Sequence, residues 1–323
     1  MLGVRCVFRG VARRLRFIPE GGALVEVTCR TLQGRFLLKP TEELKSIVIG
    51  VLARAQRHAP VGLHAFAFLS NHYHLLLSVE SALQLACFMN YLNSNLAREA
   101  GRLHGWKEKF WGRRYQAIVV SEEQAAQMDR LRYLLSHGCK EGLVERPREW
   151  PGAHCVKALV EGQDLQGLWF DRTREYNARV RGEEFDRLDY ATPEAILLEP
   201  MPCWRHLSEE KHRARVGELI SQIERETASR HAREGTRPLG VAAVMARNPH
   251  DKPPRSKKAP APTFHAATKA ARRELIEAYG WFVRAYRKAA EKLRKGDLSA
   301  CFPVGSFPPR LPFVGWVPEL EPG

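Results

Sequence analysis

No stretch of the 323-residue chain approaches the ~20 consecutive apolar residues that a membrane-spanning helix needs. The seven cysteines, Cys6, Cys29, Cys87, Cys139, Cys155, Cys203 and Cys301, are odd in number, scattered and never spaced as CxxC. That pattern argues against a disulfide framework and against a thiolate zinc site. No Walker motif and no internal repeat occur. The opening MLGVRCVFRGVARRLRFIPEGG is basic but lacks an apolar h-region and a small-residue cleavage site. A reduced, cytoplasmic setting without a membrane partner is the expectation.

Acidic residues are also in short supply. Fifty-one Lys and Arg stand against 36 Asp and Glu, a net charge of +15. A surplus of that size favours a polyanionic partner, through phosphate neutralisation and counterion release. A basic but indifferent enzyme surface is the alternative that composition leaves open.

The order of elements can be read from hydrophobic period. Residues 23–30, ALVEVTCR, alternate apolar and polar positions and predict a strand. Residues 40–58, PTEELKSIVIGVLARAQRH, open with Pro40 and a Thr41 cap and continue with helical period. GLHAFAFLS predicts a second strand, Ser70-Asn71 a tight turn, and HYHLLLSVE a third strand. ALQLACFMNYLNSNLAREA, residues 82–100, predicts an amphipathic helix stopped by Gly101. After the basic aromatic segment KEKFWGRRY, YQAIVVS predicts a fourth strand. EEQAAQMDRLRYLLSHG then predicts a helix with acids in its first turn and Gly138 at its end. Strand, helix, strand, strand, helix, strand, helix is the order of an α+β, ferredoxin-like split βαβ core with an antiparallel sheet and one added helix.

Beyond about residue 160 the character changes. Residues 207–235 predict a charged helix, and a Pro/Lys/Arg-rich linker lies near 247–262. ELIEAYGWFVRAYRKAAEKLRKG completes a basic helix with an aromatic stripe, and a proline-rich tail follows. The expected division is a domain over 1–160 and a mainly helical, basic region over 161–323.

The third strand carries an anomaly. Tyr73, Leu75, Leu77 and Val79 share its apolar face, which leaves His72, His74, Leu76 and Ser78 on the other. Two neutral imidazoles side by side can bind one divalent metal, given a further ligand. Two histidines that are merely half-exposed would give the same pattern. Tyr133 and His137 stand at i and i+4 of the last core helix and share a face. A tyrosine and a third ligand one turn apart suit phosphoryl transfer, with the metal polarising the phosphate and a phenolate attacking it. Tyrosine ionises near ~10, so the metal, Arg132 or Lys140 must assist. A packing aromatic for Tyr133 and a helix-terminal cation for His137 remain open alternatives.

LSNHYHLLLSV resembles the histidine-hydrophobe-histidine (HUH) motif of single-tyrosine transposases. MNYLNSNLAREAGRLHGWKEKFWGRRYQAIVV and LRYLLSHGCKEGLVERPREWPGAHC are similar to the joining segment and the tyrosine-bearing stretch of the REP-associated branch of the IS200-like transposases. The resemblance runs over roughly residues 15–160, with three motifs in order. Leu69-Ser70 replaces the usual methionine-proline, and Ser136-His137-Gly138 replaces an asparagine-proline turn. It implies the HUH endonuclease fold, His72, His74 and His137 as ligands of Mg²⁺ or Mn²⁺, and Tyr133 as nucleophile, with Tyr115 as its rival. It further implies cleavage of single-stranded DNA beside repeat hairpins through a 5′-phosphotyrosine, in a nucleoid-associated protein, and leaves monomer and homodimer both open.

Expected DNA contacts are Arg113, Arg114, Tyr115 and Trp111, joined by Trp106 and Phe110 in a phosphate-and-stacking surface, together with Lys140, Lys257, Lys258, Arg272 and Arg273. Solvated basic faces and a hydrophobic lid are the plainer readings of those clusters. Two other functions compete: a hairpin-binding protein that has lost turnover, and an HUH replication initiator or relaxase.

Overall fold

The computed structural model describes residues 14–184, 186–254 and 262–309. Strand β1 (Ala23–Arg30) lies at the middle of a five-stranded sheet. β3 (His72–Val79) and β4 (Gln116–Val120) are both antiparallel to β1, and β2 (Gly62–Phe68) is antiparallel to β3. Helix α1 (Glu42–His58) is capped by Thr41, whose hydroxyl accepts the Leu44 amide. Helix α2 (Ala82–Leu103) is capped in the same way by Ser81. The first four strands and two helices give the split βαβ order expected.

Both faces of the sheet are covered, which alternation in β1 alone does not suggest. Tyr73, Leu75 and Leu77 face α1 and α2, and the Tyr73 hydroxyl donates to Asn93 Oδ1 of α2. On the other face, α3 (Gln124–Leu135) lies over Glu26, Thr28 and His74 and leaves Glu26 2% exposed. The expected long last helix is interrupted: α3 ends at Leu135, and a one-turn α4 (His137–Lys140) follows Ser136. Ser136 Oγ donates to the Tyr133 carbonyl there. Glu123 is the N-cap residue of α3 but its side chain makes no capping hydrogen bond. Its Oε2 accepts from Ser121 Oγ and from the Ala267 amide. Gly101 does not stop α2 either, because the helix runs two residues further.

The region after residue 160 is mainly helical, as expected, and also carries three short strands. After α5 (Val156–Glu161), strands β5 (Gln166–Phe170) and β6 (Ala191–Ala195) form a small antiparallel sheet around α6 (Arg172–Val180). It sits so close to α1 that a Cβ at Gly167 would lie 2.2 Å from the Ser46 carbonyl oxygen. Helix α7 (Glu209–Glu234) buries Val216, Ile220 and Ile223 against the α3–α5 side, and α8 (Val241–Ala246) follows. The short β7 (Phe264–His265) then adds a parallel strand to β4, so the C-terminal half completes the main sheet. Phe264, Phe17, Tyr279 and Phe282 pack edge-on and tilted, and tie α9 (Lys269–Arg294) to that edge.

Candidate metal centre and the adjoining cleft

β3 projects His72 and His74 from one face, and α4 brings His137 onto them from above. Their ligand nitrogens all lie within 4.8 Å of one another. His74 Nδ1 donates to Glu26 Oε1 at 2.8 Å. His72 Nδ1 donates to Asn71 Oδ1 at 2.6 Å, with the Asn71 amide oriented by its Nδ2 donating to the Gly34 carbonyl at 3.1 Å. Each bonded Nδ1 therefore carries its proton and leaves the Nε2 lone pair turned toward the shared space. His72 Nε2 and His137 Nε2 are 2.7 Å apart, and His137 Nδ1 is buried without a partner among the described residues. Burial holds both His72 and His137 well below the usual imidazole range, and the neighbouring imidazoles reinforce this. Three imidazoles whose ligand nitrogens converge in this way fit one divalent cation.

Glu26 had no signal in the sequence beyond a polar residue on an alternating strand. It binds His74 through one oxygen and Arg130 through the other, at 3.1 Å. Desolvation opposes its charge, but those two partners prevail and hold its carboxyl below the usual range. Asn71, read as a turn residue, orients the other histidine.

Tyr133 lies half-buried beside the cluster. Its ring centroid is 5.6 Å from that of His74 and 5.2 Å from that of His137. Lys140 Nζ is 4.3 Å and the Arg130 guanidinium carbon 4.6 Å from the same centroid. Burial raises the phenol, and Glu26 adds to that while Arg130 opposes it. On its other side Tyr133 opens onto a cleft of about 650 Å³ between α3–α4 and α7, which Lys140 also lines.

The remaining expected contacts are dispersed. Arg113 and Arg114 are exposed at the end of the sheet where β1 meets His72. Phe110 is buried, and Trp111 packs edge-on against Tyr73 while its indole N–H donates to the Asn93 carbonyl. Trp106 is covered by Arg35 and His250. Phe110 is thus core, while Trp106 and Trp111 are only partly buried and their described contacts are within the chain. Tyr115 neighbours Tyr73 on the sheet face opposite the histidines, under Arg16, and burial pushes its phenol up to about 12. Arg272 and Arg273 are exposed on the first turn of α9, while Lys257 and Lys258 lie outside the described residues.

Fold and site together define an α+β protein with a mostly antiparallel sheet and a three-histidine centre. Residues 35–133 match the family model described as "Transposase IS200 like". The match takes in His72, His74 and Tyr133, whereas Glu26 and His137 lie outside it. Among solved structures, a REP-associated tyrosine transposase bound to a REP hairpin is similar at TM-score 0.39 and 14% identity, over 46% of this chain and 86% of that one. A proposed transposase from Deinococcus radiodurans R1 is similar at TM-score 0.27 and 18% identity, over 37% of this chain and 94% of that one. No curated protein matches the chain. Among the described residues no helix is long and apolar enough to cross a membrane.

Proposed function

We propose that the chain is a metal-dependent single-stranded DNA endonuclease and strand transferase of the REP-associated tyrosine type, acting beside repeat hairpins. The observation that carries this reading is the adjacency of Tyr133 to the His72–His74–His137 cluster, with its ring 5.6 Å from His74. His72, His74 and His137 would hold Mg²⁺ or Mn²⁺. When bound, the cation supplies Lewis-acid polarisation of a phosphate oxygen and charge that favours a phenolate.

The chain's own residues supply the rest. Glu26 and Asn71 keep the two β3 imidazoles in the Nδ1–H tautomer. Arg130 and Lys140, both close to the Tyr133 ring, offset the burial that otherwise keeps its phenol protonated. Tyr133 Oη attacks the phosphorus, the bond to the 3′ oxygen breaks, and the phenolic proton ends on that oxygen. The products are a 5′-phosphotyrosine and a free 3′-hydroxyl. Reversal at a new junction needs no nucleotide cofactor, because the covalent link conserves the phosphodiester.

The division at residue 160 follows from the same reading: 1–160 carries the chemistry and 161–323 adds DNA-binding surface. Hairpin DNA carrying a labelled flank tests the whole. Wild-type protein with Mn²⁺ should form a covalent band that Tyr133→Phe abolishes while hairpin binding persists. A band that survives in Tyr133→Phe and disappears in Tyr115→Phe would move the nucleophile. Binding without any band in the wild type would favour a silent hairpin-binding protein.

A further inference from the structure

Helix α7 contributes a wall to the cleft beside Tyr133, although it lies outside the stretch that matches the transposase family and its sequence reads as an ordinary charged helix. Glu226, Arg230 and Arg233 recur at i, i+4 and i+7 and so form one stripe facing α3–α4. Six cationic side chains and two carboxylates line the cleft. Their local bonds differ in a telling way. Arg230 donates to the Cys139 carbonyl at 2.7 Å and steadies the turn that carries His137. Arg132 is held across the cleft by Glu226. Arg225 has no ion pair among the described residues, Arg233 pairs at 3.5 Å with the exposed Glu234 next to it in the chain, and Lys140 lies over the Tyr133 ring near His137.

A solvated helix face would leave these arginines spread over a convex surface. Here they converge on a concavity that ends at Tyr133, within the size range of ligand sites. Glu226 occupies Arg132 as a phosphate oxygen could, through a charge-assisted bond to a guanidinium.

We infer that the α3–α4/α7 cleft is a phosphate-binding subsite for the single strand flanking the hairpin, with Arg225, Arg233 and Lys140 as its cations and Glu226 as an internal competitor at Arg132. The inference rests on the reading of Tyr133 as the nucleophile of a single-stranded DNA transferase. It assigns α7 a part in substrate selection: strand with an anionic backbone entering the cleft must displace Glu226 before Arg132 can bind a phosphate.

The test uses the full chain in a Tyr133→Phe background, so that binding is measured without covalent capture. Its probes are fluorescent hairpins with and without a single-stranded tail. The Arg225→Gln/Arg233→Gln double variant should bind the tailed hairpin about tenfold more weakly, and its slope of log affinity against log salt should fall by about 1.4, roughly 0.7 for each lost phosphate contact on a single strand. The tailless hairpin should bind as before. Glu226→Gln should tighten tailed binding severalfold, and Glu226→Ala serves if Gln perturbs the fold as judged by the melting temperature. Unchanged affinity and slope in the double variant would overturn the inference. So would an equal loss on the tailless hairpin, or neutral Glu226 variants that bind no tighter. The covalent assay is a separate measurement. A missing adduct with the tail-dependent effects intact sinks the nuclease reading and leaves the subsite, and the converse pattern does the reverse.

Discussion

His74 and Glu26 are 48 residues apart in the chain, yet His74 Nδ1 donates to Glu26 Oε1 at 2.8 Å beneath α3. A carboxylate behind a ligand imidazole fixes its tautomer and raises its basicity. Glu26→Ala should therefore weaken Mn²⁺ binding by about 10- to 100-fold, with Glu26→Gln intermediate because an amide oxygen can still accept. Calorimetric titration of the metal reads this directly. Equal affinity in all three proteins would reduce the pair to core packing.

The metal preference follows from the donors. Three imidazoles are softer than the oxygen-rich sets that Mg²⁺ prefers. Mn²⁺ should bind more tightly than Mg²⁺ by roughly tenfold or more, and His137→Asn should narrow that gap. Tighter Mg²⁺ binding in the wild type would contradict a three-histidine first sphere.

His64 offers a test of stability against pH. It is buried, with Nε2 at 2.7 Å from Ser78 Oγ and Nδ1 at 3.1 Å from the Glu199 carbonyl. Burial lowers it to about 4, reinforced by Arg205 and His212. An imidazole in the unfolded chain titrates near ~6.5. Between these values the unfolded state takes up a proton that the native state refuses, so stability falls as pH falls. The full effect is on the order of 3 kcal/mol by pH 4. Urea unfolding of wild type and His64→Gln should show the difference between them shrinking through that window. Parallel pH profiles would mean that His64 takes up its proton equally in the native and unfolded states.

The anchoring of α9 can be tested at Phe264, which is buried with Phe17 and Tyr279 at the sheet edge. Phe264→Ala should cost about 3–5 kcal/mol and should expose α9 to limited proteolysis before the core. Unchanged protection of α9 would show that the ties from Glu123 to Ala267 and Thr268 suffice alone.

Much of this protein is legible in its sequence. The periods of residues 23–121 dictate four strands and two capped helices, because turn residues and apolar spacing are local properties. His72 and His74 are legible as a pair for the same reason, since alternate residues on a strand must share a face. Tyr133 and His137 are legible as a second pair from helical spacing. Three features belong to the tertiary structure alone. That the two pairs meet depends on α3 folding back over the sheet, and this also turns Glu26 from an apparently solvent-facing residue into the partner of His74. In the aromatic segment 106–111, Trp111 is held by the Asn93 carbonyl of α2 and by the Tyr73 ring, which no local pattern announces. The basic cleft exists because α7, far along the chain, packs its apolar side against α3–α5 and so carries Arg225 and Arg233 to the side of Tyr133. Period and spacing act within a few residues, whereas these contacts are set by which buried surfaces the long-range packing brings together.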